Sequence, residues 1–345
     1  MYKHLLVPID GSATSLGLID QALAYARATQ AHLSFFHACR DLAATGSGAM
    51  LLAADPVAYA TSAQAPGHAL LAKAEAAARA EGLPCDSTLV ISDQVADAIL
   101  EAAERLGCDL VFAASRGRKG FATALSGSVT RQLIEAAQLP VLVTCIDARE
   151  RLTARYRALS LIRDEHRSLA AVLHGLEHLA QTWRADGPAP DFRLLGAMLF
   201  YVEQFPERLH HPKEETQIFA RLQARTSQFD TLLQELRAQH RAGGEALCEL
   251  QAGLIAFERA TPGAGERFFE QAQRFIVGQW QHMGVEERLI LPAAATQLSD
   301  EDWQRIAEAF EGHADPRFRR EAGASFEQLF ARIAQVAGEA VTTST

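Results

Sequence analysis

Histidine–glutamate pairs at one spacing, in two segments, constrain the second half of this chain more than any other feature. His210 and Glu214 stand four residues apart in FPERLHHPKEETQIF, His211 and Glu215 repeat the spacing one residue on, and His282 and Glu286 repeat it in QHMGVEERLILP. Residues four apart on an α-helix share a face, about one turn apart. Each HxxxE can thus aim an imidazole and a carboxylate at one point, and two such helices suggest two symmetric halves of a metal site. His166 in LIRDEHRSLAAVL and His240 in LQELRAQHRAGGEAL add one histidine each from two further helical segments. Four long helices that each turn a histidine to a common axis, two of them adding a glutamate, form a nitrogen and oxygen donor set suited to two iron ions bridged by carboxylates. One HxxxE arises easily by chance in a chain with 12 histidines; the whole set on four successive helices does not.

The segments EHRSLAAVL, FPERLHHPKEE, QHRAGGEAL and HMGVEERLILP make residues from about 155 to 315 resemble a hemerythrin-type HHE cation-binding domain. The resemblance implies that His166, His210, His240 and His282 are terminal ligands and that Glu214 and Glu286 bridge the metals. It favours His210 over His211 because Glu214 precedes Phe219 by the same offset that separates Glu286 from Leu291. His211 is then a neighbour able to swap in. Oxygen-carrying hemerythrins place a second histidine four residues after that of the third helix, and here that position is Gly244. This departure predicts a more open sphere on one metal, filled by water or Glu245. It points away from reversible oxygen storage and toward sensing of redox state, peroxide, nitric oxide or oxygen. The same donors would also accept manganese or zinc.

Residues 1 to 147 follow another rhythm. Apolar runs at His4 to Ile9, His32 to His37, Ser87 to Ile91, Leu110 to Ala114 and Val141 to Cys145 read as strands, with helices near 13 to 29, 67 to 81, 95 to 106 and 128 to 137. Continuously apolar strands separated by helices imply a parallel sheet covered on both faces, a doubly wound α/β domain. The Ala, Gly and Ser-rich stretch from Asp41 to Pro66 reads as a surface excursion with a short helix. Ligands of such a sheet bind beyond the carboxyl ends of the strands. PIDGS after the first strand and ASRGRKGFATALSGSVTRQL after the fourth stand there, and Gly127-Ser128 opens a helix whose free N–H groups can hold a phosphate.

From KHLLVPIDGS to LPVLVTCID this half resembles a universal stress protein domain. The resemblance implies ATP or another adenine nucleotide, with Asp10 at the ribose, Ala38 and Ser115 flanking the nucleoside, and Gly117, Gly127, Ser128 and Val129 holding phosphates. Nucleotide-binding members carry G-x2-G-x9-G-[S/T], and here Ala114 replaces the first glycine while Gly120 keeps the loop free. It also implies a homodimer through the edge of the α/β sheet.

The expected order is therefore an α/β nucleotide domain over 1–147, a charged helical lead-in over 148–158, an all-α four-helix di-iron bundle over 159–315, and a C-terminal helix and tail over 316–345. Bundle helices are expected from Thr153 to Trp183, Asp191 to Leu222, Gln228 to Ala260 and Gly265 to Ala295, with Pro212 kinking the second beside its ligands. His174, His178 and His313 are expected to be non-ligating. Leu195, Leu199, Val202, Phe268, Phe275 and Ile276 are assigned to core.

A net charge of -9 and no clustered Lys/Arg run disfavour nucleic acid. Five cysteines without a CxxC indicate neither a disulfide framework nor a zinc knuckle. The absence of a signal-length or membrane-spanning apolar run leads to the expectation of a cytoplasmic protein. Function is expected to be binding and sensing, with no catalytic residue singled out. The competing readings are a di-iron enzyme that reduces peroxide or nitric oxide, or donates iron for iron-sulfur cluster repair, and an iron store.

Overall fold

The computed structural model describes residues 2–40, 50, 53–54, 56–115, 129–145, 153–312, 329 and 332–333. The chain divides into two compact units, Met1–Thr153 and Ala154–Thr345.

In the first unit the order is β1 (His4–Pro8), α1 (Ala13–Thr29), β2 (His32–Cys39), α2 (Pro56–Ala80), β3 (Cys85–Ile91), α3 (Val95–Leu106), β4 (Leu110–Ser115), α4 (Val129–Ala136) and β5 (Val141–Cys145). The five strands form one parallel sheet in the order β3-β2-β1-β4-β5. Side chains alternate between the two faces. Leu5, Val7, Leu33 and Phe35 pack on one face with Leu18 and Leu71, while Leu6, Phe36 and Val111 pack on the other with Ile99 and Leu133. Both faces are covered, so the strands read as unbroken apolar runs. The expected doubly wound domain is what forms.

Helix α2 is longer than its sequence suggested. It begins at Pro56 and runs through Pro66, where a surface excursion was expected. Its Ala-rich composition has high helix propensity, which outweighs the single missing N–H of Pro66. Gly67 lets this helix lie against the sheet, since a Cβ there would stand 2.6 Å from Leu89 and 2.7 Å from His37.

The second unit is a bundle. Its first helix is α5 (Ala154–Thr182). The second is a composite of α6 (Phe192–Val202), a π-helical stretch Glu203–His210, α7 (His211–Lys213), a second π stretch Glu214–Phe219 and α8 (Ala220–Arg225). The third is α9 (Asp230–Glu258). The fourth joins α10 (Ala264–Val285), a π stretch Glu286–Ile290 and α11 (Leu291–Gln297). A further helix, α12 (Asp300–Glu311), starts on a capping box in which Ser299 and Asp302 satisfy each other's backbone N–H.

The expected kink at Pro212 takes the form of widened turns. The N–H of His211 bonds the Pro206 carbonyl, that of Ala220 the Glu215 carbonyl and that of Leu291 the Glu286 carbonyl, each five residues back. Pro206, Pro212 and Pro292 each lack an N–H within these helices, and a π turn accommodates an interrupted ladder. The wide turns coincide with both HxxxE segments. Leu195, Leu199, Val202, Phe268, Phe275 and Ile276 are buried, as expected for core. Ile162, Phe219, Leu222, Leu236, Ile290, Trp303 and Phe310 close one end.

Of the expected helical lead-in over 148–158, residues 148–152 lie outside the described residues and the rest runs into α5, which begins at Ala154; His313 also lies outside them. Of the expected C-terminal helix only Leu329, Arg332 and Ile333 are described; Leu329 and Ile333 are buried. No helix among the described residues is long and apolar enough to cross a membrane.

Candidate metal centre

The four bundle helices bring His166, His210, His240, His282, Glu214 and Glu286 to one buried point, with none more than 6% exposed. They meet as two histidine pairs. His166 and His210 face each other at 3.1 Å between Nε2 atoms, and His240 and His282 do so at 3.0 Å.

Between the pairs lie the two glutamates, and each divides its oxygens. Glu214 turns Oε1 to His210 at 3.1 Å and His166 at 3.6 Å, and Oε2 to His240 at 3.7 Å. Glu286 turns Oε2 to His166 at 3.5 Å, and Oε1 to His282 at 3.3 Å and His240 at 4.0 Å. Two four-donor sets result: His166, His210, Glu214 and Glu286, and His240, His282, Glu214 and Glu286. Both carboxylates belong to both. Glu214 Oε2 and both Glu286 oxygens are shut off from solvent without a hydrogen-bond partner. Buried carboxylate oxygens left so are costly unless a cation satisfies them. The donor set fits a pair of metal ions.

The outer nitrogen of each imidazole is also held. His210 Nδ1 meets Glu165 at 2.6 Å, His166 Nδ1 meets Glu287 at 2.9 Å, His240 Nδ1 meets Glu215 at 2.7 Å, and His282 Nδ1 meets the amide oxygen of Gln239 at 3.0 Å. These bonds fix ring orientation and raise ligand basicity. Every one of the four holders is the chain neighbour of a different ligand: Glu165 of His166, Glu215 of Glu214, Gln239 of His240 and Glu287 of Glu286. The sequence reading missed this ring. Its signal was present as an acid or amide beside four of the six candidate ligands, in EH, EE, QH and EE.

The α/β unit presents its expected residues along one sheet edge. Asp10 follows β1, where its Oδ1 accepts the Ser12 N–H at 3.0 Å. Gly11, with φ of +75°, turns the chain into Ser12, the N-cap of α1. Ala38 lies near the end of β2 and Ser115 closes β4. Val129 opens α4, which Thr130 ties to β4 through the Ala114 carbonyl at 3.2 Å. Thus Asp10, Ala38, Ser115 and Val129 share the carboxyl edge of adjacent strands β2, β1 and β4. Gly117, Gly127 and Ser128, the expected phosphate holders, lie outside the described residues, as does Gly120.

The profile of the Universal stress protein family matches residues 1–144, and that of the Hemerythrin HHE cation binding domain matches residues 157–294. The chain joins a universal stress protein domain to a hemerythrin HHE domain. A curated relative, Universal stress protein YxiE of Bacillus subtilis (strain 168), is 29% identical over 147 residues, which cover 41% of this chain and 99% of that protein. Among solved structures, a universal stress protein in complex with cAMP is 26% identical, with 42% of this chain and 97% of that chain covered and a TM-score of 0.32. The universal stress protein from Archaeoglobus fulgidus in complex with dAMP is 19% identical, with 41% and 97% covered and a TM-score of 0.27.

Within the hemerythrin domain the space near Gly244 is not filled by Glu245, which is exposed. Glu245 lies on the outer face of α9, whereas a Cβ on Gly244 would stand 3.4 Å from Glu207 Oε2. His211 is buried, with its ring stacked on His240 at 4.1 Å between centroids and only 12° from parallel. Its ring nitrogen comes within 4.8 Å of donors from His240 and His282. Parallel stacking keeps a metal out of one of the two ring planes. His211 therefore walls the second donor set in this conformation. Among the other histidines, His174 packs against Trp280 at 4.7 Å, away from the ligand cluster.

Electrostatics separate the candidate ligands. Burial works against charge on His166, but Glu214 and Glu287 outweigh it and raise its pKa to about 9. Burial lowers His282 to about 2, so that ring is neutral. Burial and the neighbouring Glu214 charge hold the Glu286 pKa well above the usual carboxylate range. Burial opposes ionisation of Glu214 too, yet His210 and His166 hold its pKa well below that range.

Two spaces adjoin the cluster. One, of about 10 Å³, lies against His166, His210 and Glu286 under Leu169, Phe205 and Met283, and has room for one water-sized ligand. The other, of about 270 Å³, reaches His240 and His282 between α9 and α10 past Gly243, Gly278, Gln279 and Arg274.

Proposed function

We propose that the hemerythrin domain holds two iron ions bridged by Glu214 and Glu286, and that the protein is a stress-response sensor of oxygen, nitric oxide, peroxide or redox state. The universal stress protein domain is its nucleotide-binding half, with ATP or another adenine nucleotide at the edge of Asp10, Ala38, Ser115 and Val129. One observation carries the reading of the metal centre: each bridging glutamate splits its oxygens between two histidine pairs. Imidazole and carboxylate donors suit iron. Two irons would supply reversible electron transfer and an open position for a small ligand.

The chain's own residues do the rest. His166 and His210 hold one position, His240 and His282 the other, and their four outer partners keep the rings aimed. Leu169, Phe205 and Met283 wall a space of about 10 Å³ beside the first pair, which admits only a very small ligand and excludes bulk water. Anaerobically reduced, iron-loaded protein tests this reading. Difference spectra on adding oxygen, nitric oxide or peroxide are expected in the wild type and absent in His282→Ala.

A second reading has its own observation. The cavity of about 270 Å³ is larger than a diatomic ligand needs and reaches the His240 and His282 side. It would suit an enzyme that reduces peroxide or nitric oxide, or that gives up iron for cluster repair. Catalytic peroxide turnover lost in His282→Ala distinguishes it from sensing. A homodimer through the α/β sheet belongs to the proposal; β5 ends the sheet, and Leu142 on it is 41% exposed, with Ile134 of α4 at 50%.

A further inference from the structure

A third histidine pair lies far from the bundle ligands in sequence. In the parallel sheet His4 pairs with His32 in register, and Ser34 pairs with Asp86. Residues opposite one another in register, and residues two apart on one strand, point to the same face. His4, His32, Ser34 and Asp86 therefore share the face that carries Leu6 and Phe36. They occupy its first two rungs, His4 level with His32 and then Ser34 level with Asp86, at the amino end of β1, β2 and β3.

There His4 Nε2 lies 2.7 Å from Ser34 Oγ, and His32 Nε2 lies 2.8 Å from Asp86 Oδ2. The two rings meet edge to face at 4.7 Å and 85°. That is the arrangement of the bundle's ligand pairs, which meet at 4.9 Å and 68° for His166 and His210, and at 4.6 Å and 67° for His240 and His282. One ligand atom from each of His4, His32 and Asp86 falls within 4.8 Å of the others. Asp86 Oδ1 is shut off from solvent without a hydrogen-bond partner. Asp109, the next carboxylate, is already engaged by the backbone N–H groups of Lys3 and His4 at 2.8 and 2.9 Å.

We infer that His4, His32 and Asp86 form a second metal site, for a single zinc-class divalent transition ion, on the universal stress protein domain. Two imidazoles and one carboxylate select such an ion over magnesium or calcium, which prefer all-oxygen shells. Three protein ligands with a fourth position left to water is an open zinc geometry, at about 2.0–2.2 Å for nitrogen and oxygen donors. The ion would discharge the orphaned Asp86 oxygen and tie the edge strand β3 to β1 across β2. Cys108 packs beside Ser34 at the margin of the site.

The test is zinc titration of the full chain, with its bundle already loaded with iron, followed by calorimetry and by X-ray absorption at the zinc edge. The wild type is expected to take one further zinc with two imidazoles in its shell. Asp86→Asn and His32→Gln, substitutions at half-exposed side chains, are expected to lose that zinc while keeping the wild-type iron content. Equal zinc uptake by the wild type and both variants would overturn the inference, as would a zinc shell with more than two imidazoles. Because the readout is a difference in zinc at constant iron, it stands or falls separately from the reading of the bundle.

Discussion

His282 Nδ1 rests against the amide oxygen of Gln239 at 3.0 Å, whereas the same atom of His166, His210 and His240 meets a carboxylate. The two halves of the centre are thus unequal in the group that polarises their ligands. An anionic acceptor makes an imidazole a stronger donor than a neutral amide does. Gln239→Glu is expected to favour the oxidised metal and lower the reduction potential of the centre, read by spectroelectrochemistry. Gln239→Ala is expected to weaken metal binding by roughly 10- to 100-fold. An unchanged potential and affinity in both variants would remove this asymmetry from the account.

The proposed bridging would make Glu214 and Glu286 necessary to both ions. Glu214→Gln and Glu286→Gln are each expected to reduce the metal content to one ion or fewer per chain, measured by elemental analysis. Exposed Glu245, replaced by Gln, is expected to leave the content unchanged. Loss in the Glu245 variant would restore that residue as a ligand.

Metal uptake should strengthen as pH rises. The folded pKa of His166 is raised to about 9, so below that value a proton occupies the ring that a metal must displace. The sign for folding is the reverse. A raised histidine pKa stabilises the metal-free fold fully below the unfolded value of about 6.5, and that contribution is lost as pH rises through about 9. Competition titrations across this window should show tighter binding at higher pH with protons released. Affinity independent of pH would contradict the assignment of charge.

The larger cavity gives a kinetic prediction. A Cβ built on Gly278 meets nothing within 4 Å, so a larger side chain has open space to enter. Gly278→Leu is expected to slow azide binding to the oxidised centre by roughly tenfold, about 1.4 kcal/mol of added barrier, with unchanged iron content. Stopped-flow rates equal to wild type would direct ligand entry to the Phe205 side.

At the other domain, Asp10→Ala should weaken ATP binding measured by calorimetry, leaving iron content as it is. Equal affinity would remove Asp10 from the ribose contact.

Much of this was legible in the sequence because both folds write a strong period. The strands of the α/β domain are buried on both faces and read as apolar runs, and the candidate ligands of the bundle recur at helical spacing on segments rich in helix formers. What was hidden depended on contacts between helices. Glu165, Glu215, Gln239 and Glu287 sit one residue from a ligand, where helical spacing alone assigns them no common face. Glu207 occupies the space beside Gly244 from another helix, which no spacing within the third helix reveals. The π turns were announced only by Pro206, Pro212 and Pro292, each compatible with a simple kink. In α2, local propensity carried the helix through Pro66.

Iron content per chain, measured by elemental analysis on untagged protein beside a His210→Ala, His282→Ala double variant, tests the central claim most directly. Two irons in the wild type and fewer than one in the variant are predicted. Zinc alone in the wild type, or equal iron in both proteins, would contradict a di-iron centre built on these ligands.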